Sequence, residues 1–469
     1  MSICSTEVFP PCVSPSTAAR ILLKATVPVT GCTEPAAIAL ATALSAQAAR
    51  GHVPEWLRGG EKRAPAAMTQ DLEVELVSVR TVRSLYKNAL AVGIPNSEGG
   101  SGIYLAAALG PYVDPGSGLN LLKACGPEAL GLARQLLGSQ RLSLEVQGDA
   151  REGIFVEARL IGVVGGQRHV GEAVITGSHD GVVLVRRDGR VLFEKEREQS
   201  AQGDDGGIQR LAACDLEALV AAAKNLTPEA RAHLRAGIEM NREAARVGLS
   251  SAFGLGVGAS LQALIDEGQL ADDMPTRASV LTAAATDARM SGHEIEVMSS
   301  SGSGNQGIMT VLPLVAVAEA KGVEASKLEE AVAVSHLVTA VMTHHAGLLS
   351  PLCGCVVKAG MGAAAGIAVA LGLDADGVLA SLKNMAGNMT GEICDGAKVG
   401  CAIKLCAAAR AAVLSALFAS RGISIPPNNG ILASSGRDLF RNIGDLARSM
   451  DEVDGTIVNI MERKQVRGG

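Results

Sequence analysis

The segment Ser299-Ser300-Ser301-Gly302-Ser303-Gly304-Asn305-Gln306-Gly307 runs directly into the apolar residues Ile308 to Leu312. A Ser/Gly loop that opens onto such a run predicts a turn at a helix N-terminus, with N–H groups, hydroxyls and an amide around a small space. This arrangement favours anions, because the positive end of the helix dipole lies there. The loop has no Lys or Arg, which favours a carboxylate over a triphosphate. A flexible linker is the alternative, and the apolar residues that follow disfavour it.

Composition limits the classes of protein and of partner. The 469 residues allow two to four domains, and 48% of them are hydrophobic while only 2% are aromatic. A core of Ala, Val, Leu and Gly favours closely packed helices. With a net charge of −6 and no basic block, nucleic acid is not an expected partner.

A membrane protein is the next class to consider, because the mean hydropathy is positive and residues 331–357 contain no Asp, Glu, Lys or Arg. The same run holds three His residues, a Pro and several Gly and Ser, which makes it a poor lipid-facing helix. We therefore interpret it as buried inside the protein. Three prolines interrupt the N-terminal segment and no secretory signal is visible, so a cytoplasmic protein without a membrane partner is expected.

The periodicity divides the chain into three parts. Residues 15–26 and 34–50 predict two helices, and residues 66–200 predict a smaller α+β domain with two helices (102–110 and 127–138) and strands near 72–76, 142–146, 154–161, 169–175, 182–186 and 191–193. Residues 201–469 predict a large, mainly helical catalytic domain, with helices at 214–224, 227–247, 256–268, 274–288, 307–320, 326–345, 356–371, 376–387 and 401–420. The predicted fold class is thus α+β, with the smaller domain inserted after N-terminal helices (1–65) that pack with the catalytic domain.

The cysteines are crowded near helix starts. Thr33 is a predicted N-cap, which places Cys32 just outside a helix N-terminus, where the dipole lowers a thiol pKa. Cys353 and Cys394 also lie in turns before helices. Three such thiols suit an iron–sulfur cluster better than structural zinc, whose paired ligand spacing is absent. The alternative for each Cys is a buried, inert side chain, which is our interpretation of the helical Cys401 and Cys406.

Nine collinear motifs then resemble a known family, the L-cysteine desulfidases, which are related to the alpha chains of iron–sulfur L-serine dehydratases. The matching stretches are Gly31-Cys32-Thr33-Glu34-Pro35, Lys87-Asn88 with the Gly/Pro loop after it, Gly177 with His179, Asp287-Ala288-Arg289-Met290, Ser301 to Gly307, Ser335-His336-Leu337, Leu352-Cys353, Met361 to Gly366 and Ile393-Cys394-Asp395-Gly396-Ala397.

The resemblance implies a 4Fe-4S cluster held by Cys32, Cys353 and Cys394, with Cys355 as an alternative to Cys353 and the fourth iron open for substrate. It implies elimination of sulfide from L-cysteine, which gives pyruvate, ammonia and hydrogen sulfide. Dehydration of L-serine with the same cluster is the alternative, because nothing in the loop distinguishes a thiol from a hydroxyl. We expect a small amino acid as the binding partner and a homo-oligomer, a dimer.

The roles of the remaining residues follow from this reaction. The loop residues Ser301, Gly302, Ser303, Gly304, Asn305 and Gln306 are predicted to hold the substrate carboxylate. Arg289 either reinforces this site or pairs with Asp287. Lys87 and His179, both expected on loops, are the candidate bases for the Cα proton. A pyridoxal-phosphate enzyme is disfavoured, because no Lys lies between Lys224 and Lys321 to form the Schiff base.

Overall fold

The computed structural model describes residues 13–68, 71–147, 153–195, 206–251 and 253–465. The first half of the chain contains the helices α1 (Pro15–Ala25), α2 (Thr33–Ala49), α3 (Arg83–Ala89), α4 (Ile103–Leu109) and α5 (Pro127–Gly138) and the strands β1 (Pro28–Thr30), β2 (Leu72–Val82), β3 (Leu142–Gln147), β4 (Phe155–Val164), β5 (Gln167–Thr176), β6 (Val182–Arg187) and β7 (Arg190–Glu194). Three short 3₁₀ segments lie at Glu55–Arg58, Gly110–Tyr112 and Pro115–Ala124.

In the described residues of the second half, β8 (Glu296–Met298) is the one strand, and the other regular elements are helices. Its helices are α6 (Gly207–Ala213), α7 (Leu216–Lys224), α8 (Pro228–Ser250), α9 (Val257–Asp266), α10 (Met274–Met290), α11 (Gly304–Lys321), α12 (Ala325–Ala346), α13 (Ala359–Ala370), α14 (Ala375–Met389), α15 (Cys401–Ala419), α16 (Gly436–Ser449) and α17 (Asp451–Gln465). A π-helical turn, Gly354–Lys358, leads into α13. The predicted α+β class with mainly helical structure is confirmed.

The sheet has the strand order β3-β2-β4-β5-β6-β7. Only the β2–β3 pair is parallel; the other neighbours are antiparallel. One face of the sheet is covered by α2, which packs on β4 and β5. A Cβ added at Gly171 on β5 would lie 1.8 Å from the carbonyl oxygen of Ser45, so glycine allows this close approach.

The helical core consists of α10, α11, α12, α13 and α15, which pack mainly through Ala, Gly and Val. A Cβ added at Gly362 on α13 would lie 2.4 Å from the carbonyl oxygen of Ser335 on α12. Small residues therefore let the helix backbones approach closely, as the composition predicts.

The two N-terminal helices lie in different hydrophobic cores. Helix α1 contributes Ala18 and Leu22 to the helical core, whereas α2 contributes Ile38 and Leu40 to the core of the sheet. The last helix, α17, returns to the sheet side, where Val458 is buried. The sequence patterns do not predict the elements β1, α3, α6, β8, α16 and α17. The domain boundaries at residues 65 and 200 stay a prediction.

One described helix, α15, is long and apolar enough to cross a membrane by length and composition alone. Of that apolar stretch, 56% is buried against the rest of the protein. The helix packs on α10, α13 and α14. A core helix of a folded protein has the same properties, so α15 is weak evidence for a membrane span.

Candidate active site

A cleft of about 750 Å³, including its opening to solvent, lies where loops from both hydrophobic cores meet. Most of the predicted site residues line it, from six separate parts of the chain: Cys32, His179, Arg289, Ser301, Gly302, Ser303, Asn305, Gln306, Cys353 and Cys394. Lys87 and Gly304 do not line it. The fold thus brings together residues that are more than 300 positions apart.

The Ser/Gly loop forms a tight turn between β8 and α11. The N–H of Ser303 donates to the carbonyl of Ser300 (3.1 Å), and the Oγ of Ser303 caps α11 by accepting the N–H of Gln306 (3.4 Å). Ser301, at the tip, has a φ of 46°, in the left-handed region that non-glycine residues rarely adopt. The predicted turn at the start of a helix is confirmed, and the N-terminus of α11 faces the cleft.

The buried side chain of His336 on α12 contacts this turn. Nδ1 of His336 lies 2.9 Å from Oγ of Ser300. Burial lowers the pKa of His336 to about 3, so its ring is neutral at physiological pH. A neutral ring in contact with Ser300 stabilises the turn without placing a charge beneath it.

Arg289 connects the loop to the start of α2. Its Nη1 donates to Oδ1 of Asn305 (2.8 Å) and its Nη2 donates to the carbonyl of Gly31 (2.6 Å). A Cβ added at Gly304 would lie 2.4 Å from Nε of Arg289, so this glycine makes room for the guanidinium. Asp287 instead accepts from the N–H of Gly258. The guanidinium of Arg289 therefore lies beside the loop, whereas the carboxylate of Asp287 contacts the start of α9.

Four buried polar atoms around the cleft have no hydrogen-bond partner: Oγ of Ser301, Oε1 of Gln306, Nε of Arg289 and Nε2 of His179. Buried polar groups are almost always paired, and an unpaired one costs about 1–3 kcal/mol. Four of them around one cleft indicate that a polar ligand completes the site. Both hydrogen-bond donors and acceptors are among these atoms.

A short backbone bridge brings two of the cysteines together. The N–H of Cys353 donates to the carbonyl of Glu392 (2.9 Å), and the N–H of Cys394 donates to the carbonyl of Pro351 (2.7 Å). A hydrogen bond between the two thiols lowers the pKa of Cys353 and raises that of Cys355. One thiol of this pair therefore loses its proton more readily than a lone buried thiol does.

Cys32 lines the same cleft at the start of α2, and its thiol lies in a different electrostatic environment. It is itself the N-cap of α2, so the prediction that Thr33 is the cap is wrong. Burial raises the pKa of Cys32 to about 11, despite the nearby guanidinium of Arg289. Burial also raises the pKa of Cys394. The dipole argument that predicted a lowered pKa for Cys32 failed because desolvation of the thiolate is the larger effect.

The cleft contains more thiols than the sequence indicated, because Cys355 and Cys401 also line it. Cys401, predicted to be inert, faces this site, whereas Cys406 does not. Among the described residues, no three His, Cys, Asp or Glu side chains are close enough to bind a single metal ion. In a 4Fe-4S cluster each thiolate binds a different iron, so the thiols lie farther apart than the ligands of a single metal ion do. A set of thiols on several walls of one cleft therefore fits a cluster in donor type.

Comparison with known proteins identifies the family. The sequence model of the serine dehydratase alpha chain matches residues 187–459, more than half of the chain. The chain belongs to the serine dehydratase alpha-chain family. This confirms the family resemblance that the motifs indicated, and the family is named for a lyase. The Ser/Gly loop, Cys353 and Cys394 lie within the match, whereas Cys32 and His179 precede it.

Full-length relatives cover the rest of the chain. A protein named UPF0597 protein from Alkaliphilus oremlandii is 35% identical over 94% of this chain and 97% of its own length. Similar proteins from Clostridioides difficile (36% identical over 94% of this chain and 98% of their chain) and Desulforapulum autotrophicum (36% identical over 95% and 97%) carry the same family name.

The two candidate bases differ in position. Lys87 lies within α3 rather than on a loop, and its Nζ is 2.5 Å from Oδ1 of Asp454 on α17. His179 lies on the β5–β6 turn, faces the cleft and is 6% exposed. Burial lowers the pKa of His179 below its usual 6.5. Only His179 therefore presents a free nitrogen to a ligand.

We expect Lys87→Met to destabilise the protein by about 3–5 kcal/mol, because the buried carboxylate of Asp454 loses its partner. Chemical denaturation measures the loss. Asp454→Asn should act similarly, and the double variant should lose less than the sum of the two single losses, since neither charge is then left alone. A folded Lys87→Met protein whose turnover falls a hundredfold or more would instead assign Lys87 to the chemistry.

Several residues of the cleft were not predicted. The set comprises Glu34, Asn88, Lys358, Asp395 and Lys404. Lys358 is buried, and its Nζ donates to the carbonyls of Gly347 (2.9 Å) and Leu348 (3.1 Å). Burial lowers the pKa of Lys358 to about 8. The feature of the sequence that could have indicated Lys358 is its position directly after residues 331–357, which contain no charged side chain.

Proposed function

We propose that this protein is an L-cysteine desulfidase, which converts L-cysteine and water into pyruvate, ammonia and hydrogen sulfide. The observation that supports this most directly is the combination, in one cleft, of several thiols with four buried polar atoms that lack partners. A 4Fe-4S cluster held by Cys32, Cys353 and Cys394, with Cys355 as an alternative to Cys353, would supply a Lewis acid for the departing sulfur.

The Ser/Gly loop is suited to the substrate carboxylate. Oγ of Ser301 is an unpaired hydrogen-bond donor, and the N-terminus of α11 adds its dipole and free N–H groups. Nε of Arg289 has no protein partner, so the guanidinium adds positive charge beside the loop. Holding the carboxylate here orients Cα, and such orientation contributes several kcal/mol, out of the roughly 7–11 that full pre-organisation supplies.

His179 is the residue that we propose as the base for the Cα proton. Its Nε2 is unpaired, and burial keeps the ring neutral, which leaves a lone pair on one ring nitrogen to accept a proton. The negative charge of Glu34 raises the pKa of His179, opposing burial, and would stabilise the imidazolium that forms. The side chains of Leu348 and Leu349 line the same cleft and exclude water from it.

We expect Ser301→Ala to raise the KM for L-cysteine about tenfold, because one hydrogen bond to the carboxylate is lost. Ser301→Gly is the matched variant, since it removes the same hydroxyl while glycine accepts the positive φ without strain. Steady-state kinetics of the two variants separate the hydroxyl from the backbone. An unchanged KM in both would exclude Ser301 from the carboxylate site.

L-serine dehydration is the second candidate, and the match to the serine dehydratase alpha chain favours it. The deciding experiment is anaerobic purification with iron and acid-labile sulfide analysis, followed by assays of sulfide and pyruvate on L-cysteine and on L-serine. A higher kcat/KM for the formation of sulfide and pyruvate from L-cysteine than for the formation of pyruvate from L-serine would support the desulfidase. The reverse ranking would establish the dehydratase, and neither product from either substrate would overturn both.

A further inference from the structure

In the described part of the chain, Glu34 is the one carboxylate of the candidate active site without a cation partner. Two acidic side chains line the cleft there, Glu34 and Asp395. Oδ1 of Asp395 lies 2.9 Å from Nζ of Lys404 and also pairs with Lys398. Glu34 forms no ion pair with a described residue, so its negative charge can act on a ligand.

The contacts that Glu34 makes are weak for a carboxylate. It is half-buried in the first turn of α2 and accepts hydrogen bonds from the hydroxyl of Thr33 (3.3 Å) and the amide of Asn88 (3.4 Å). Charge-assisted hydrogen bonds are shorter, about 2.7–2.9 Å. An ammonium group in the cleft would give Glu34 such a contact. The alternative role is structural, because an acidic side chain at a helix N-terminus also stabilises the helix dipole.

Glu34 lies close to both the Ser/Gly loop and the proposed base. The hydroxyl of Thr33, which contacts the Glu34 carboxylate, is also 3.4 Å from the carbonyl of Gly302 in the loop. Burial lowers the pKa of His179, and the negative charge of Glu34 opposes this effect. A ligand group bound by Glu34 therefore lies between the loop and His179.

A buried amide oxygen provides a second acceptor. Gln306 is 4% exposed, lines the same cleft, and its Oε1 has no hydrogen-bond partner among the described residues. An ammonium group carries three N–H donors and needs several acceptors. The carboxylate of Glu34 and the amide oxygen of Gln306 supply them, whereas Ser301 and Arg289 supply donors for a carboxylate.

We propose that Glu34 binds the α-ammonium group of the substrate, with Oε1 of Gln306 as the second acceptor, and so selects amino acids over carboxylic acids that lack this group. The choice of an amino acid rests on the proposed function. With the carboxylate at the Ser/Gly loop and the ammonium at Glu34, the Cα between them is held from two sides beside His179. Glu34 thus determines specificity and orients the Cα–H bond towards the base.

Isothermal titration calorimetry on the anaerobically purified full chain, with L-alanine and with propanoate, tests the proposal. Both ligands have the carbon skeleton and the carboxylate of L-cysteine without its thiol, and they differ in the ammonium group alone. We expect L-alanine to bind at least about tenfold more tightly than propanoate, because it adds a charge-assisted contact. Absence of L-alanine binding, or equal affinity for the two ligands, would overturn the proposal.

Glu34→Gln locates the ammonium group. Glutamine has the same length and keeps an acceptor for Thr33, so the variant removes the charge. We expect its affinity for L-alanine to fall about tenfold or more and its affinity for propanoate not to fall. Glu229→Gln is the matched control, because Glu229 is exposed in the first turn of α8 and does not line the cleft. Equal affinities for L-alanine in the two variants would leave Glu34 a structural role and overturn the proposal.

Failure of this proposal is distinguishable from failure of the proposed function, because the binding experiments need no turnover. Preference for L-alanine that Glu34→Gln abolishes, in a protein that forms neither sulfide nor pyruvate, would support the role of Glu34 and overturn the reaction. Sulfide and pyruvate formation from L-cysteine, with no loss of L-alanine affinity in Glu34→Gln, would leave the reaction and overturn the role of Glu34.

Discussion

Cys394→Ser is expected to abolish the brown iron–sulfur absorbance of the anaerobically purified protein and its turnover together. A serine hydroxyl stays protonated near neutral pH and is a poor ligand for the irons of a cluster that thiolates hold. Cys394 is joined by the Leu352–Ile393 bridge to the segment that carries Cys353 and Cys355. Cys394→Ser would therefore remove one of the three proposed ligands from the part of the cleft that also carries Cys353 and Cys355.

The neighbouring cysteines provide the controls. Cys406→Ser changes a free thiol of the same region that does not line the cleft, and it should keep both absorbance and activity. Cys353→Ser and Cys355→Ser, compared in parallel, decide which of the two is the ligand. A Cys394→Ser protein that keeps its absorbance and its turnover would remove Cys394 from the ligand set.

His179→Gln is expected to lower kcat about 10²–10⁴-fold, the usual contribution of a general base, with little change in KM or in the iron–sulfur absorbance. Glutamine keeps a polar side chain of similar length but accepts no proton at neutral pH. His169→Gln on β5 is the matched control, because His169 pairs with Asp188 and does not line the cleft of the candidate active site. A kcat within tenfold of wild type would transfer the role of base to another residue.

The pH dependence gives an independent check on His179. A base must be neutral to act, and burial lowers the pKa of His179 from 6.5, so the ring loses its proton at a lower pH than a free histidine does. The acidic limb of kcat/KM should therefore lie below pH 6.5 and disappear from the residual activity of His179→Gln. The pH profile of kcat/KM measures this, and a limb above pH 6.5 would contradict it.

Local sequence patterns predicted most of the elements correctly. Alternation in β2 and the Gly turns of the sheet gave its strands, and apolar periodicity gave most of the helices of the second half. The Ser/Gly run before Ile308 indicated the start of α11 correctly, because Gly, Ser and an N-cap have local conformational preferences. The motif order along the chain also identified the family before any contact was known.

Other properties depended on contacts between distant segments. The apolar sequence of α2 predicts that the helix is buried, but not which element it packs against. In the structure α2 packs on the sheet, whereas α1 belongs to the helical core. The pKa of Cys32 was predicted to fall and instead rises, because burial outweighs the dipole. The partner of the candidate base Lys87 is Asp454 on α17, a helix that the sequence patterns do not predict. Lys358 and Cys401 line the cleft because of how their helical segments pack, which the local sequence does not show.

Residue order thus specifies the turns, caps and buried faces of this protein, since those depend on neighbours a few positions apart. The charge state and the partner of each side chain in the cleft depend instead on desolvation and on groups far away in the sequence, such as Asn88, which is 306 positions from its partner Cys394. Those quantities exist only once the chain is folded.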